Sequence, residues 1–176
     1  KIKIKKISKK KDNIVFKGQF NKYIKKKNNS ILNLLKLLRK LNLIQNYYSV
    51  NVIKNIPVFS GLGGGTSNAA FILKNKITDN ILGKVEKLIG SDLRLFFHNQ
   101  GFLQNLKTIK IIKKKQKLFF LLSHPNIKCS TREIYSKVKK YSKKTKYNIN
   151  KLNTKNKFTN HILAQKNELQ SIVEKK

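Results

Sequence analysis

Several residue types are scarce in this chain of 176 residues. It has no methionine or tryptophan, two prolines, one cysteine and only seven acidic residues. The single Cys129 excludes a disulfide framework and a cysteine-rich zinc site. No apolar run approaches the roughly 18 residues of a membrane helix, and no apolar stretch follows the Lys-rich start as in a signal peptide. Since the chain starts with Lys1 and lacks methionine, we expect its natural N-terminus to be missing.

Basic residues, in contrast, are abundant. Lysine and arginine number 41, three of them arginine, and the formal net charge is +34. Such a charge is compatible with nucleic-acid binding. The lysines, however, occur in every segment, and arginine, which forms the better contacts to base edges and phosphates, is nearly absent. Lysine, asparagine and isoleucine together make 80 of the 176 residues, a bias typical of an AT-rich genome. We therefore interpret the charge as a solvated surface and do not expect a nucleic-acid partner.

Hydrophobic residues make up 39% of the chain and are spread along it, which excludes a purely disordered polybasic tail. Period-two alternation or continuous apolar runs predict strands, and apolar stripes at helical spacing predict helices. Strands are predicted at 2–7, 14–16, 48–53, 103–112 and 118–122, the last buried, and helices at 31–41, with Ser30 as N-cap, at 67–76 and at 80–89. His124-Pro125 marks a break, followed by a mostly helical polar region with a loop at 139–156. The absence of strict strand–helix alternation predicts an α+β fold.

The most informative segment is the glycine cluster that runs from Pro57 to Ala70. It contains four of the eight glycines and two of the three alanines. Glycines let backbone N–H groups surround an anion without Cβ clashes. Thr66, Ser67 and Asn68 then supply N-cap chemistry where a helix begins, and the positive end of its dipole favours phosphate. Because an apolar strand precedes the cluster and a capped helix follows it, a phosphate-binding loop is favoured over a flexible linker.

The better-known phosphate loops do not fit this cluster. A Walker loop needs a lysine directly before the hydroxyl residue, and none follows Gly65. A dinucleotide pattern beginning at Gly61 would need glycine at Thr66. The eukaryotic kinase loop lacks its downstream His-Arg-Asp and Asp-Phe-Gly partners.

The remaining pattern, Pro-x3-Gly-Leu-Gly-Gly-Gly-Thr-Ser-Asn-Ala-Ala, resembles the second motif of the GHMP kinases (galacto-, homoserine, mevalonate and phosphomevalonate kinases). The triple glycine before two hydroxyl residues is similar to one branch, which phosphorylates a cytidine diphosphate ester of methylerythritol in the non-mevalonate isoprenoid (terpenoid) pathway. Further stretches resemble this branch in the same order, and the resemblance extends over about residues 13–173. They are Asn29–Leu32, Ile89–Phe97, His124-Pro125 with Ser130-Thr131 and Ile134-Tyr135, and Lys166–Leu169.

The resemblance implies a GHMP kinase-like two-domain fold, truncated at both ends. Residues 1–122 would form the ribosomal-protein-like ATP-binding domain without its first strand, and residues 123–176 the start of an α+β C-terminal domain. The first motif of the family, Pro-Ala-Lys-x-Asn-Leu, would lie upstream of Lys1, and its third motif, which is rich in glycine, would lie downstream of Lys176. We therefore expect residues 1–176 alone to be inactive. Phe59 and Ser60 replace small residues of the family loop, and Arg94 replaces the proline after the catalytic aspartate.

The resemblance also implies the roles of individual residues. Asp92 would be catalytic, and ATP would bind with Mg²⁺, for which Thr66 and Ser67 are candidate ligands. Tyr135 would stack on the cytosine ring of the substrate, although the sequence equally allows it to face the core. The residues expected at ATP and its phosphates are Pro57, Gly61, Leu62, Gly63, Gly64, Gly65, Thr66, Ser67 and Asn68.

The implied partners are ATP and the small-molecule substrate, in the cytoplasm of a bacterium or in a plastid, with no membrane partner. Two alternatives remain open at the level of sequence. One is a basic nucleic-acid-binding module, and the other is a non-catalytic relative that binds nucleotide without turnover. An RNA-binding module has no evident use for the glycine cluster followed by Gly90-Ser91-Asp92, which favours the kinase.

Overall fold

The computed structural model divides into two compact units. One comprises residues 1–58 and 62–98, and the other comprises residues 59–61 and 99–176. The structure describes residues 1–74, 79–105, 108–112, 115–123, 127, 129–139, 148 and 151–175. Helices and small sheets are mixed without strict alternation, which confirms the α+β class. Among the described helices, none combines the length and the apolar character that crossing a membrane requires.

The first unit contains a three-stranded sheet made of β1 (Ile2–Ile7), β2 (Asn13–Lys17) and β3 (Tyr47–Ile53). The spatial order is β1-β3-β2, with β1 antiparallel and β2 parallel to the central strand. Val50 of β3 faces both Ile4 and Ile14, so the alternating apolar residues of all three strands share one face. The period-two pattern therefore predicted these three strands correctly.

Three helices pack on the apolar face of this sheet: α1 (Ser30–Lys40), α2 (Gly64–Leu73) and α3 (Asp79–Ile89). The predicted stripe of α1 is buried, together with Val50 and Val52 of the sheet. The N-cap of α1 is Asn29 rather than the predicted Ser30, since the Asn29 side chain accepts a hydrogen bond from the Leu32 N–H. Ser30 is instead the first helical residue, and its hydroxyl donates to the Gly65 carbonyl of α2.

Helix α2 begins at Gly64, three residues before the predicted start at Ser67. Ala69 and Ala70 are buried, as expected of a helix whose small side chains permit close packing. The predicted end of this helix at residue 76 lies outside the described residues. Helix α3 ends at Ile89, next to Gly90, close to the predicted bounds.

Asp12 holds three elements together. Its buried carboxylate pairs with the Arg39 guanidinium of α1 and accepts a 2.9 Å hydrogen bond from the Tyr48 N–H of β3. Arg39 also donates to the Asn46 carbonyl at 3.0 Å. The start of β2 is thereby fixed against both the central strand and the helix that covers it.

The second unit contains a hairpin of β4 (Gly101–Leu103) and β5 (Ile109–Ile111) in place of the single predicted strand at 103–112. Its helices are α4 (Thr131–Ser136), α5 (Lys155–Leu163) and α6 (Gln170–Val173). A small core forms from Ile112, Leu152 and Phe158, with Leu118 packed against it. The His124-Pro125 break and much of the predicted loop at 139–156 lie outside the described residues.

The prediction of a buried strand at 118–122 is wrong. Residues 118–122 have no strand conformation, and Phe119, Phe120 and Leu121 are 80%, 80% and 99% exposed. A continuous apolar run indicates a tendency to be buried, but burial also requires a neighbouring strand or helix to cover it. Within the described part of this unit, only Leu118 reaches such a neighbour. The proposed domain boundary at 122–123 stays a prediction.

Candidate phosphate-binding site

The glycine cluster forms the N-terminal end of α2. Gly63 is the N-cap, with the left-handed backbone angles φ 62° and ψ 22°, and no side chain caps the helix. The prediction that Thr66, Ser67 and Asn68 supply the cap is therefore wrong, because the helix starts earlier and places them within its first two turns. The Ser67 N–H already donates to the Gly63 carbonyl at 2.8 Å. Within the described part of the chain, the N–H groups of Gly64, Gly65 and Thr66 have no acceptor.

Two of these glycines have close neighbours, and Gly63 in addition has a positive φ. A Cβ atom at Gly63 would lie 2.7 Å from Cζ of Phe96, and one at Gly64 would lie 3.1 Å from Nζ of Lys54. Any larger residue would displace a ring or an ammonium group. The cluster thus serves close packing around the start of α2 as well as backbone conformation.

Lys54 is a functional candidate that the sequence analysis missed. Its side chain is only 7% exposed, and burial lowers the pKa of its ammonium group from the usual value. In the described part of the chain the ammonium group has no hydrogen-bond or ion-pair partner. A buried cation without a partner is costly, so its position beside the free N–H groups of α2 indicates an anion site.

The sequence did hold a signal for Lys54. Val50 and Val52 alternate onto the buried face of β3, and Lys54 continues that alternation. Among 38 lysines, however, only its register distinguished it.

One hydrogen bond and one close approach of another segment are found at the start of α2. The Ser30 hydroxyl of α1 donates to the Gly65 carbonyl at 3.0 Å. On the other side, Oγ1 of Thr66 lies 3.7 Å from where a Cβ at Gly90 would be. Gly90 directly precedes a 3₁₀ helix, Ser91–Phe97, which carries Asp92. The structure therefore brings the Asp92 segment against the glycine cluster, although the two are about 25 residues apart in the chain.

Asp92 lies in the first turn of this 3₁₀ helix and is exposed. The following residue, Leu93, is completely buried in the core of the first unit. The Asp92 carboxylate has no hydrogen-bond or ion-pair partner in the described part of the chain. It is thus an accessible carboxylate on an anchored segment, which suits a group that must meet a substrate.

The remaining predicted residues have less well-defined surroundings. Pro57 is buried, Ser67 and Asn68 are half-buried on α2, and Leu62 is 44% exposed. Gly61 has φ +72° and open space around it. Tyr135 is 51% exposed on α4 in the second unit, so it does not face a core there.

Phe59 has a backbone conformation that disfavours its side chain. Its φ is +62°, its ring is 47% exposed, and its carbonyl accepts a 3.1 Å hydrogen bond from the Cys129 N–H. The left-handed region costs a residue with a Cβ about 1–2 kcal/mol. A small residue is therefore better suited to this position, in line with the small residues of the family that Phe59 replaces.

We expect Phe59→Gly to be more stable than Phe59→Ala by about 1 kcal/mol, because both remove the ring but only glycine relieves the positive φ. Urea denaturation of the two variants measures the difference. An equal or higher stability of the alanine variant would show that φ is not strained at this position.

Hydroxyl groups near the cluster are candidate metal ligands. In the parts of the chain that the structure describes, no three His, Cys, Asp or Glu residues come together. Thr66 and Ser67 are half-buried, and hydroxyl oxygens suit Mg²⁺, which usually takes one or two protein oxygens together with phosphates and water.

Comparison with known proteins gives consistent results. No family model matches the chain. The chain is 42% identical over 139 residues to the 4-diphosphocytidyl-2-C-methyl-D-erythritol kinase of Pelagibacter ubique. This match covers 74% of the chain and 49% of that protein. The kinase of the same name from Sulfurihydrogenibium is 37% identical over 128 residues, or 66% of the chain and 46% of that protein. The kinase of that name from Prochlorococcus marinus is 34% identical over 173 residues, and the match covers 83% of the chain and 54% of that protein.

The chain thus spans about half the length of the curated relatives that it matches. The matched stretches cover two thirds or more of the chain itself in several bacteria, at identities of 34–42%. By sequence, the chain belongs to the family of 4-diphosphocytidyl-2-C-methyl-D-erythritol kinases.

Proposed function

We propose that the complete protein transfers the γ-phosphoryl group of ATP to the 2-hydroxyl of 4-diphosphocytidyl-2-C-methyl-D-erythritol. The observation that carries this proposal is that three N–H groups at the start of α2 lie beside the buried ammonium of Lys54, and none of these groups has a partner among the described residues. The names of the relatives support the choice of substrate. A two-domain GHMP-type arrangement, with ATP bound by residues 1–122, is part of the same proposal.

The start of α2 would bind the phosphates of ATP. The N–H groups of Gly64, Gly65 and Thr66 point along the helix axis, where the helix dipole favours negative charge. Hydrogen bonds to a charged group contribute about 1.5–3 kcal/mol each. Lys54 would add a full positive charge next to Gly64, and its burial cost would be offset once a phosphate is bound.

Asp92 would act on the hydroxyl that attacks the phosphorus. Phosphoryl transfer needs a group that orients the nucleophile and accepts its proton. The Asp92 carboxylate is exposed, and its helix packs beside Thr66 through Gly90. It can therefore accept the proton of a hydroxyl whose phosphate donor is held by α2.

The donor set near the cluster fits a magnesium ion held mainly by phosphate oxygens. The hydroxyls of Thr66 and Ser67 would complete its ligands, and the ion would neutralise charge on the transferred group. Because residues 63, 64 and 65 are glycines, the start of α2 has no side chains of its own at these three positions.

Tyr135 is proposed to stack on the cytosine of the substrate. Its ring is 51% exposed on α4, a helix capped by the Ser130 hydroxyl, which accepts from the Glu133 N–H at 3.4 Å. An exposed aromatic ring on a capped helix can offer a face to a base, and such stacking contributes about 1–3 kcal/mol.

The test is an assay of the complete protein with ATP, Mg²⁺ and 4-diphosphocytidyl-2-C-methyl-D-erythritol. We expect stoichiometric formation of ADP and a substrate phosphorylated on its 2-hydroxyl, identified by phosphorus NMR. Residues 1–176 alone should be inactive, because they contain no Pro-Ala-Lys-x-Asn-Leu motif. ATP binding without transfer by the complete protein would contradict the proposal and favour a non-catalytic nucleotide-binding relative.

A further inference from the structure

Glu86 and Arg94 form an ion pair at the base of the Asp92 segment. Nε of Arg94 lies 2.5 Å from Oε1 of Glu86, and Nη2 donates to Oε2 at 3.2 Å. The two side chains are 20% and 14% exposed. The Nε contact is an ion pair without hydrogen-bond geometry, whereas the Nη2 contact is a hydrogen bond. Partial burial of both side chains reduces the screening of their attraction by water.

This pair closes a loop of nine residues from α3 to the 3₁₀ helix. The Gly90 N–H donates to the Glu86 carbonyl at 2.9 Å, and the Leu93 N–H donates to the Gly90 carbonyl at 3.2 Å. Gly90 itself has φ +136°, in a region that only glycine occupies easily. Glycine at the joint allows the segment to turn, and it also leaves the joint without stiffness of its own.

Asp92 lies between this joint and Arg94. Its carboxylate makes no hydrogen bond or ion pair with the described residues, so its position depends on the backbone that carries it. Leu93, buried in the core, holds that backbone at one point. The pair at Arg94 holds it at a second point, and two fixed points are needed to set the direction of a short helical turn.

We propose that Arg94 and Glu86 are positioning residues that hold Asp92 toward the transferred phosphoryl group. The inference rests on the proposed function. The motif that Ile89–Phe97 resembles has a proline at the position of Arg94, and proline stiffens the backbone through its ring. In this chain the ion pair supplies the restraint from a side chain, and α3 takes part in it through Glu86.

The experiment measures kcat and the KM for ATP of the complete protein carrying Arg94→Ala, Arg94→Pro or Glu86→Gln. Arg94→Ala and Glu86→Gln should each lower kcat about 10- to 100-fold, the cost typical of a misplaced catalytic group. The KM for ATP should change less than about twofold, because the start of α2 is untouched. Arg94→Pro should recover most of kcat without the ion pair, since the proline ring fixes φ of residue 94 near about −65°, within the range of a 3₁₀ helix.

Lys87→Ala is the matched control, because it removes an exposed charge next to Glu86 on α3. It should leave kcat unchanged. If Arg94→Ala and Glu86→Gln fold normally and keep kcat within twofold of the unsubstituted protein, the inference is wrong while the kinase assignment stands. If Arg94→Pro is folded but as slow as Arg94→Ala, restraint of the backbone is not the role of the pair. An inactive unsubstituted protein would instead refute the proposed function.

Discussion

Asp92→Asn should reduce kcat of the complete protein by about 100- to 10,000-fold, the usual contribution of a general base. Asparagine has nearly the same shape but cannot accept the proton of the attacking hydroxyl. The carboxylate is exposed and makes no hydrogen bond or ion pair with the described residues, so its loss should not change the free energy of unfolding. A large fall in kcat with an unchanged melting temperature is therefore the expected result.

Glu174→Gln is a suitable control for this substitution. Glu174 is an exposed carboxylate near the end of the described chain, and its neutralisation changes the net charge by the same amount. It should leave kcat and the KM for ATP as they are. Should Asp92→Asn retain kcat within a few-fold of the unsubstituted protein, Asp92 is not the base, and another group must take the hydroxyl proton.

Lys54→Met should weaken ATP binding by about 10- to 150-fold, which corresponds to the loss of one hydrogen bond to a charged group of 1.5–3 kcal/mol. It should also stabilise the protein in the absence of ATP. Methionine fills a similar volume and needs no partner, whereas the buried ammonium has none among the described residues. A substitution that increases stability but impairs binding is characteristic of a functional site.

The gain in stability expected of Lys54→Met depends on pH in a definite direction. Burial lowers the pKa of Lys54 in the folded protein, so the unfolded chain binds more protons between that lowered pKa and the usual 10.5. Stability of the unsubstituted protein therefore rises with pH through this window. The advantage of Lys54→Met should be complete below the lowered pKa and should shrink as the pH approaches 10.5. Urea denaturation at several pH values measures it.

Lys84→Met provides the matched control, since Lys84 is exposed on α3 and its substitution removes the same charge. It should change neither ATP binding nor the pH dependence of stability. Inorganic pyrophosphate gives an independent measurement, because it should raise the melting temperature of the unsubstituted protein more than that of Lys54→Met. Equal shifts in the two proteins would show that Lys54 does not contact phosphate.

The sequence predicted the elements whose signals are local. Period-two alternation located β1, β2 and β3, and apolar stripes located α1 and α3, because each pattern reflects only which side of one element is buried. The glycines and the hydroxyls of Thr66 and Ser67 marked the start of α2 to within three residues. Asp92 stood out because acids are rare in the chain.

Predictions that depended on distant neighbours did not hold. The run at 118–122 was expected to be a buried strand, but its burial required a partner that composition cannot specify. The cap of α2 was assigned to hydroxyl residues by propensity, whereas Gly63 takes that position with a left-handed φ of 62°, where a Cβ would also lie 2.7 Å from the Phe96 ring. Both outcomes depend on whether residues far along the chain pack against the segment, which the segment's own sequence does not specify.

The sequence by itself determined that this protein has a glycine-rich helix start and one prominent carboxylate after Gly90-Ser91. Only the tertiary structure decided what surrounds them. It placed the ammonium of Lys54 beside Gly64, the hydroxyl of Ser30 on the Gly65 carbonyl, and Gly90 next to Thr66. The physical reason is that the order of strands in the sheet and the packing of helices on it set these distances. Neither can be inferred from the pattern within a single segment.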